Sequence, residues 1–542
     1  MPSQANQATP DPRVPLPPAP RSLAPQGPED TPRSPTPPPQ VPHRTLITIC
    51  AMAATLMQAL DSTIANVALP YMQGSLSAST DQITWVLTSY ITAAAIMTAP
   101  VGWLSNRFGQ KSVFLVSLVG FTATSMLCGI AGSLGEIVVF RLLQGLFGAA
   151  LVPLSQSTML EIYPPEQRGS AMAIWGMGVM IGPIMGPTLG GYLTGWYDWR
   201  YVFYINLPVG ILGTLGLLVF MPNVPGSRAL RFDWMGFALL SLSIGSLQVM
   251  LDRGQEQDWF AAKEIVVEGV LAGLGGYLFL VHLGWSRRPL IRPVLFRDVN
   301  FSAGIVLMFA VGTLLVSSLA LMAPWLQNLG NYPVETAGLV MAPRGFGNLC
   351  TIVLSGRLSQ RIDARLMVGV GLLIECWSFW IMTGWTPDVS QHELIVAIIL
   401  QGAGLGLVFT PLQMLAFATL DPALRTEGAS LFSLFRNIGA AVGVSVVTTM
   451  LARNTQVLHE SIGADVTPFN RALRAWGMLD PAHAHGAALM DRLVNQQAQI
   501  IAYVDDYKLL ILTTLPALLL LLVMRRPRFV EGVAKVQAEA ME

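Results

Sequence analysis

A chain of 542 residues with 52% apolar and only 12% charged side chains cannot be a string of soluble domains, which carry about a quarter charged residues. The mean hydropathy of +0.53 points to lipid as the main solvent. Lys plus Arg and Asp plus Glu both number 32, so no surplus of cations exists for a phosphate-binding face, and nucleic-acid binding is excluded.

Residues 1–44 are polar and proline-rich. Proline blocks helix, and too little apolar area is present to offset the entropy of ordering, so a disordered or polyproline-like tail is expected. The Pro37-Pro38-Pro39 run is either a docking motif or part of that solvated tail. The first apolar run, from about Thr45, is too long for the core of a cleavable signal and reads as a retained span. Cys50, Cys128, Cys350 and Cys376 lie singly inside apolar runs and read as small core residues.

From Thr45 onward the chain repeats apolar stretches of about 18 to 25 residues, each long enough to cross a hydrocarbon core as a helix. Fourteen are expected, at 45–69, 82–103, 111–131, 136–158, 169–194, 201–221, 233–251, 265–284, 300–323, 336–356, 365–385, 393–415, 428–451 and 506–524. The alternation of barrel strands is missing, so the spans are helical. The connections at 70–81, 324–335 and 386–392 hold no Lys or Arg. Those on the other side hold Arg107, Lys111, Arg168, Arg228, Arg231, Arg287, Arg288, Arg292, Arg297, Arg357, Arg361, Arg365 and Arg425. The positive-inside bias then puts both termini in the cytoplasm.

The long connection 452–505 falls outside, and its polar stretch Ala487 to Tyr503 reads as a structured element, a docking surface or an idle loop. Asp480, His483 and His485 lack a third strong ligand and make a weak metal signal, so no metal site is expected.

The chain also repeats itself. Gly102, Leu104, Arg107, Gly109 and Lys111 after span 2 have the spacing of Gly356, Leu358, Arg361, Asp363 and Arg365 after span 10. Gln144-Gly145 with Pro153 in span 4 is echoed by Gln401-Gly402 with Pro411 in span 12, and Pro165 to Arg168 by Pro422 to Arg425. The repeat divides the chain into a six-helix bundle over 45–221, two inserted helices over 222–299, a second six-helix bundle over 300–525 carrying the external segment 452–505, and a tail at 526–542. The fold class is therefore an all-α integral membrane protein of two bundles and two inserted helices. Such a fold places a cavity between its halves near the midplane.

Asp61 is an acid in mid-membrane, where an unpaired charge costs at least about 2.5 kcal/mol; it either carries a coupling proton or ties helices together as a neutral acid. Arg141, which keeps its charge, either tunes a nearby acid or acts as packing glue. Gly178, Gly182, Gly186 and Gly190 at i+4 spacing form a bare ridge for close helix packing, with kinks at Pro183 and Pro187. Glu375 is the acid well inside a second-half span, and either takes part in proton coupling or lies near the interface; Arg344 and Arg436 could bind an anionic substrate group or pair with an acid. Trp85, Tyr90, Trp175, Met177, Met180, Met341, Phe409 and Gln413 offer aromatic, polarizable or polar contacts for a lipophilic molecule, or ordinary helix packing.

Four stretches carry a family resemblance: L-D-S-T-I-A-N-V-A-L-P (Leu60 to Pro70), G-W-L-S-N-R-F-G-Q-K (Gly102 to Lys111), R-L-L-Q-G (Arg141 to Gly145) and G-P-I-M-G-P-T-L-G-G (Gly182 to Gly191). With these, residues 45 to 525 resemble the major facilitator superfamily, in particular its fourteen-span drug:proton antiporters of the EmrB/QacA type. The resemblance implies alternating-access efflux of lipophilic molecules from the inner membrane, driven by a proton gradient with no cofactor. It also implies proton-coupling roles for Asp61 and Arg141, a gating role for Gly102, Arg107, Gly109 and Lys111, and packing between the two bundles for the glycine ridge. The segment before span 14 looks like that of members working with a periplasmic adaptor and an outer-membrane channel. Asn106 stands where Asp is typical of the superfamily, which puts a gating salt bridge there in doubt; Arg107 and Lys111 can still meet helix ends or anionic headgroups, or simply anchor the loop. A dedicated exporter of one metabolite carries the same motifs; a transporter-like sensor and a membrane-embedded enzyme are the rival classes. An ATP-driven pump would need a phosphate-binding loop that the sequence lacks.

Overall fold

In the computed structural model, residues 43–164, 167–227, 231–287, 289–359, 361–464, 466 and 484–525 are described. The proline-rich tail, Asp480, His483, Arg228, Arg288 and residues 526–542 lie outside them. Among the described residues twelve helices are long and apolar enough to cross a membrane, or thirteen with the bent pair counted as one span. A further helix of 29 residues, Arg168–Trp196, takes the place of the remaining expected span.

In chain order these are α1 (Arg44–Ser75), the bent α2 (Trp85–Thr98 with Val101–Phe108), α3 (Gln110–Ile130), α4 (Leu134–Ile162), α5 (Arg168–Trp196), α6 (Tyr201–Phe220) and α7 (Trp234–Arg253). They continue with α8 (Lys263–Trp285), α9 (Val299–Leu329), α10 (Thr336–Leu358), α11 (Ala364–Met382), α12 (Gln391–Phe417), α13 (Pro422–Gly463) and α14 (His485–Val523). Helices α1–α6 pack chiefly among themselves, as do α9–α14, while α7 and α8 pair as a hairpin.

Prolines set the irregularities. Helix α2 bends by 55° beside Pro100, and α4 opens into a turn at Ala149–Ala150, where the missing N–H of Pro153 leaves the carbonyl four residues back without its helical donor. A π-helical turn, Trp325–Leu329, follows Pro324 in α9. Helices α13 and α14 run far past the expected 428–451 and 506–524, each roughly 60 Å long at 1.5 Å per residue, about twice the hydrocarbon thickness. The stretch Ala487 to Tyr503 is thus the start of α14, and His459 of α13 meets Asp491 of α14 at 3.1 Å beyond the span.

The repeat is visible as packing. A Cβ on Gly145 of α4 would overlap the carbonyl of Tyr90 in α2, and a Cβ on Gly402 of α12 would overlap the carbonyl of Arg344 in α10. Tyr90 and Arg344 each stand twelve residues before the paired glycines Gly102 and Gly356, so the two crossings are equivalent positions of one repeat.

The glycine ridge of α5 lies against α1 of its own bundle, where packing between the bundles was expected. A Cβ on Gly182 would come within 2.5 Å of Ala59 Cβ and 2.6 Å of its carbonyl carbon, while Gly186 meets Thr63 Oγ1 and Gly190 meets Ile64. The i+4 spacing announces a bare face without saying which helix covers it. The expected kinks at Pro183 and Pro187 fall on side chains outside the described residues. Cys50 and Cys128 are buried, but Cys350 is exposed on the same face of α10 as Phe346, Val353 and Leu354, a surface that faces bilayer.

The neighbour at Gly182 is backbone, whereas that at Gly186 is a hydroxyl that can rotate away. Gly182→Ala is therefore expected to lower the thermal unfolding midpoint of the detergent-solubilised protein more than Gly186→Ala, by a difference worth about 1–3 kcal/mol. Equal shifts would show that α1 yields along its whole length.

Candidate functional site

Asp61, Arg141 and Gln144 are fully buried, and Asn206 nearly so. The Arg141 Nη1 donates to Asp61 Oδ2 at 2.7 Å and to Gln144 Oε1 at 2.9 Å, and its Nε donates to the Val86 carbonyl at 3.2 Å. Asp61 Oδ1 accepts from Gln144 Nε2 and from Asn206 Nδ2, both at 3.0 Å. Asn206 also donates to Ser125, which in turn donates to the Phe203 carbonyl. The guanidinium lies over the Tyr90 ring at 4.4 Å and the Phe203 ring at 5.4 Å. One carboxylate thereby gathers α1, α2, α3, α4 and α6.

The second bundle is charged differently. Arg344 of α10 donates from Nη2 to Ser318 Oγ at 3.0 Å and to the Leu315 carbonyl at 3.3 Å, and its Nη1 has no acceptor. Glu375 of α11 lies against Gly404 of α12, within electrostatic reach of Arg344 but not bonded to it. Arg436 is closest to Ser433 and Asn437, each at 3.4 Å. Three charges expected to act in coupling thus separate: Asp61 and Arg141 share one cluster, and Glu375 belongs to the other bundle.

A cavity lies beside Arg344, between α5 of the first bundle and α9, α10 and α12 of the second, with Met180, Thr188, Leu315, Leu319, Gly338 and Met341 among its walls. Of the residues expected to line a substrate cavity, Met180, Met341 and Arg344 do so. Trp175 and Phe409 are instead stacked on each other, with ring centroids 6.0 Å apart, and Gln413 accepts from Gln156 Nε2 at 2.8 Å. These three join the bundles on the side of the arginine-rich connections, where shape and polarity close a contact and leave no cavity. Tyr90 belongs to the Asp61 cluster, Trp85 lies under Arg253 at 5.5 Å, and Arg436 is half-buried and not part of the cavity wall.

The loop motif after span 2 meets a helix end, one of the roles open to its cations, and the segment before α7. Lys111 donates to the carbonyls of Leu218 and Met221 at 2.8 and 2.6 Å, capping the end of α6. Gly109 takes a left-handed φ of 86°, and Val224 O fills the place of its absent side chain. The Asn106 and Arg107 carbonyls meet Ser227 and Gly226, so the segment before α7 lies across this loop. Gly102 packs on Glu427 of α13, 2.6 Å from a Cβ position to its Cα. Glu427 accepts from the backbone N and the Nε of Arg292, each at 2.6 Å.

Sequence reasoning missed Asn206, Ser125, Glu427 and Arg292. An amide in Y-I-N-L-P inside an apolar run was the one available signal for the first of these. No group of three His, Cys, Asp or Glu side chains able to hold a metal occurs among the described residues.

Residues 51–444 match the family model described as Major Facilitator Superfamily. The chain is 35% identical to the multidrug export protein EmrB of Haemophilus influenzae over 78% of this chain and 84% of that one. It is 36% identical to the fatty acid resistance protein FarB of Neisseria gonorrhoeae over 79% and 84%. Its fold is similar to the crystal structure of the human organic anion transporter MFSD10 (TETRAN), at a TM-score of 0.56 and 15% identity, covering 87% of this chain and all of that one.

Removing one partner of the Asp61–Arg141 pair strands a charge in a medium that cannot hydrate it. Arg141→Met is expected to destabilise the protein by about 3–5 kcal/mol, and the double variant Asp61→Asn with Arg141→Met to recover most of that loss. Thermal unfolding of the three proteins side by side checks this; a double variant as unstable as Arg141→Met would assign the loss to packing of the guanidinium.

Proposed function

The chain belongs to the major facilitator superfamily, and from that premise we propose that it exports lipophilic anions in exchange for protons, with Asp61 as the proton carrier. It is a transporter and not an enzyme, a multi-pass membrane protein of the drug-efflux kind. The observation that carries the finer reading is the division of charge: an arginine bonded to its acid in the first bundle, and in the second an arginine bonded to no acid, with an unpaired donor, in the wall of the cavity.

Proton exchange at Asp61 alters a contact that other groups are ready to absorb. A protonated Asp61 no longer offsets the Arg141 charge, which then rests on Gln144, the Val86 carbonyl and the Tyr90 face. Asp61 sits on α1, α1 packs along the glycine ridge of α5, and α5 touches α10 and α12 of the other bundle. A shift of α1 therefore has a mechanical path to the interface that must rearrange in alternating access. On the substrate side, Arg344 offers Nη1 to an anionic head while Met180, Leu315, Leu319 and Met341 accept an apolar body. The name of the gonococcal relative, a fatty acid resistance protein, agrees with a substrate of that chemistry.

The bias of the arginine-rich connections supports cytoplasmic termini and a cavity toward the outer side of the inner membrane. The α13–α14 extensions then project outward, and we assign to them, Ala487 to Tyr503 included, the docking of a periplasmic adaptor leading to an outer-membrane channel.

Proteoliposomes holding a pH gradient test the reading, with medium-chain carboxylates, other lipophilic weak acids and tetraphenylphosphonium added in turn and lumenal pH followed by a trapped dye. Wild type is expected to move protons on addition of the acids, Asp61→Asn to lose that movement by at least about tenfold, and Arg344→Gln to raise the concentration of acid required. Proton movement unchanged in Asp61→Asn would remove Asp61 from the mechanism. A response to the cation alone would overturn the anionic class, and a response to a single acid would favour a dedicated metabolite exporter.

A further inference from the structure

Two seams run between the bundles, one where α2 meets α13 and one where α5 meets α10. The α7–α8 hairpin is fastened across the first seam at both ends. At the end away from the arginine-rich connections, Asp252 accepts from Thr88 of α2, and Arg253 lies over Trp85 of α2. Just beyond α7, Trp259 Nε1 donates to Thr449 Oγ1 of α13 at 3.0 Å. Arg253 also pairs with Glu264 of α8, closing the hairpin on itself. At the opposite end, Trp103 of α2 donates to the Arg231 carbonyl just before α7, and Arg292 just after α8 holds Glu427 of α13. Between these points α7 packs directly on α2, with Gly245 close to Ile96 and Thr92.

Among the described residues the second seam has no such cover. It is tight at the arginine-rich end, where Gly169 meets Ser359 and Gly356 meets Ala173. Toward the other end it gives way to the cavity beside Arg344. There Gly338 has no atom within 4 Å of a Cβ position, and Met185 of α5 and Leu339 of α10 face outward. The lining on this side is apolar, and the buried Arg344 lies at its inner end with Nη1 unpaired.

We infer that the α7–α8 hairpin is a strap that closes the α2–α13 seam, and that the α5–α10 seam is in consequence the lateral portal through which bilayer-dissolved amphiphiles with an anionic head exchange with the central cavity. The proposal rests on the anionic-substrate reading of Arg344 and adds the route. An acyl chain leaving the bilayer near Met185 and Leu339 meets a mostly apolar lining, interrupted by Thr188 and Asn348, and only its head crosses to a fixed cation. Passage by the other seam would require the polar fastenings at the far end of α7, to Thr88 and to Thr449, to be released.

Photolabelling in proteoliposomes tests this with two probes, a diazirine-bearing hexadecanoate that resides in the bilayer and a diazirine-bearing benzoate that resides in water. Adducts on Met180 and Leu405, which are buried from lipid, report arrival in the cavity. Gly338→Phe fills open space in the portal, and Gly284→Phe, equally free of neighbours, adds the same ring to α8 as a control. The long-chain adducts are expected to fall about tenfold in Gly338→Phe and to stay at the wild-type level in Gly284→Phe, while the benzoate adducts change by less than about twofold in both. Loosening the strap with Thr88→Val and Trp259→Phe on top of Gly338→Phe is expected to restore long-chain labelling. Long-chain labelling indifferent to Gly338→Phe, a parallel loss for both probes, or no cavity adducts in wild type would each overturn the portal. Proton flux in the same vesicles separates the two ideas, because flux without portal labelling refutes the route alone, and labelling without flux refutes the transport reading.

Discussion

The ion pair between Asp61 and Arg141 is the interaction on which the first bundle depends, because a charge that lipid cannot hydrate must bring its solvation with it. Each oxygen of Asp61 and two of the three guanidinium nitrogens of Arg141 find protein partners, and the pair with these partners spans four helices. An apolar residue at position 61 would leave α1 free to slide in a bundle whose other contacts are mostly apolar. With the pair in place, register along α1 is set, and the glycine ridge of α5 can approach the same helix closely because its partner surface does not shift. Specificity and mobility thus rest on one small polar island.

The second bundle repeats the backbone of the first without repeating its charges. Tyr90 and Arg344 occupy equivalent crossings, yet one presents an aromatic face to a buried guanidinium and the other is the guanidinium. In the first bundle the acid comes from α1 and the base from α4; in the second the acid comes from α11 and the base from α10. The glycines that allow each crossing are kept, because without them the backbones cannot approach, while the polar residues around them diverge. A repeat built this way supplies two similar containers that can hold different ligands, which suits a protein proposed to move a proton and an organic anion in opposite senses.

The helices, their order and the repeat were legible in the sequence, because lipid forces long apolar runs. Asp61 and Arg141 were legible for the same reason, as charges in runs that exclude charge. What covered each face was not. In a bilayer both the buried and the lipid-facing sides of a helix are apolar, so the periodicity that marks the inner face of a soluble helix is lost; Trp175, Phe409 and Gln413 carry a cavity's chemistry and close an interface, and Cys350 carries a core residue's chemistry and faces lipid. Asn206 was missed because a single amide in an apolar run is as compatible with a helix end as with a buried acceptor's partner.

Asn106 shows how the inserted hairpin bears on the rest. With no carboxylate at that place in the loop, the loop itself cannot supply an acidic latch to the second bundle, and its backbone is instead engaged by the segment leading into α7. The acid facing this loop is Glu427, on α13, and its partner Arg292 lies in the connection leaving α8. The latch has moved from the loop to the insert. A hairpin that holds both ends of one seam also restricts how the bundles can separate, since the strapped side can only pivot while the α5–α10 side opens. The insert therefore converts a rocking motion that would open both seams equally into a hinge with one working edge, and the cavity beside Arg344 lies on that edge.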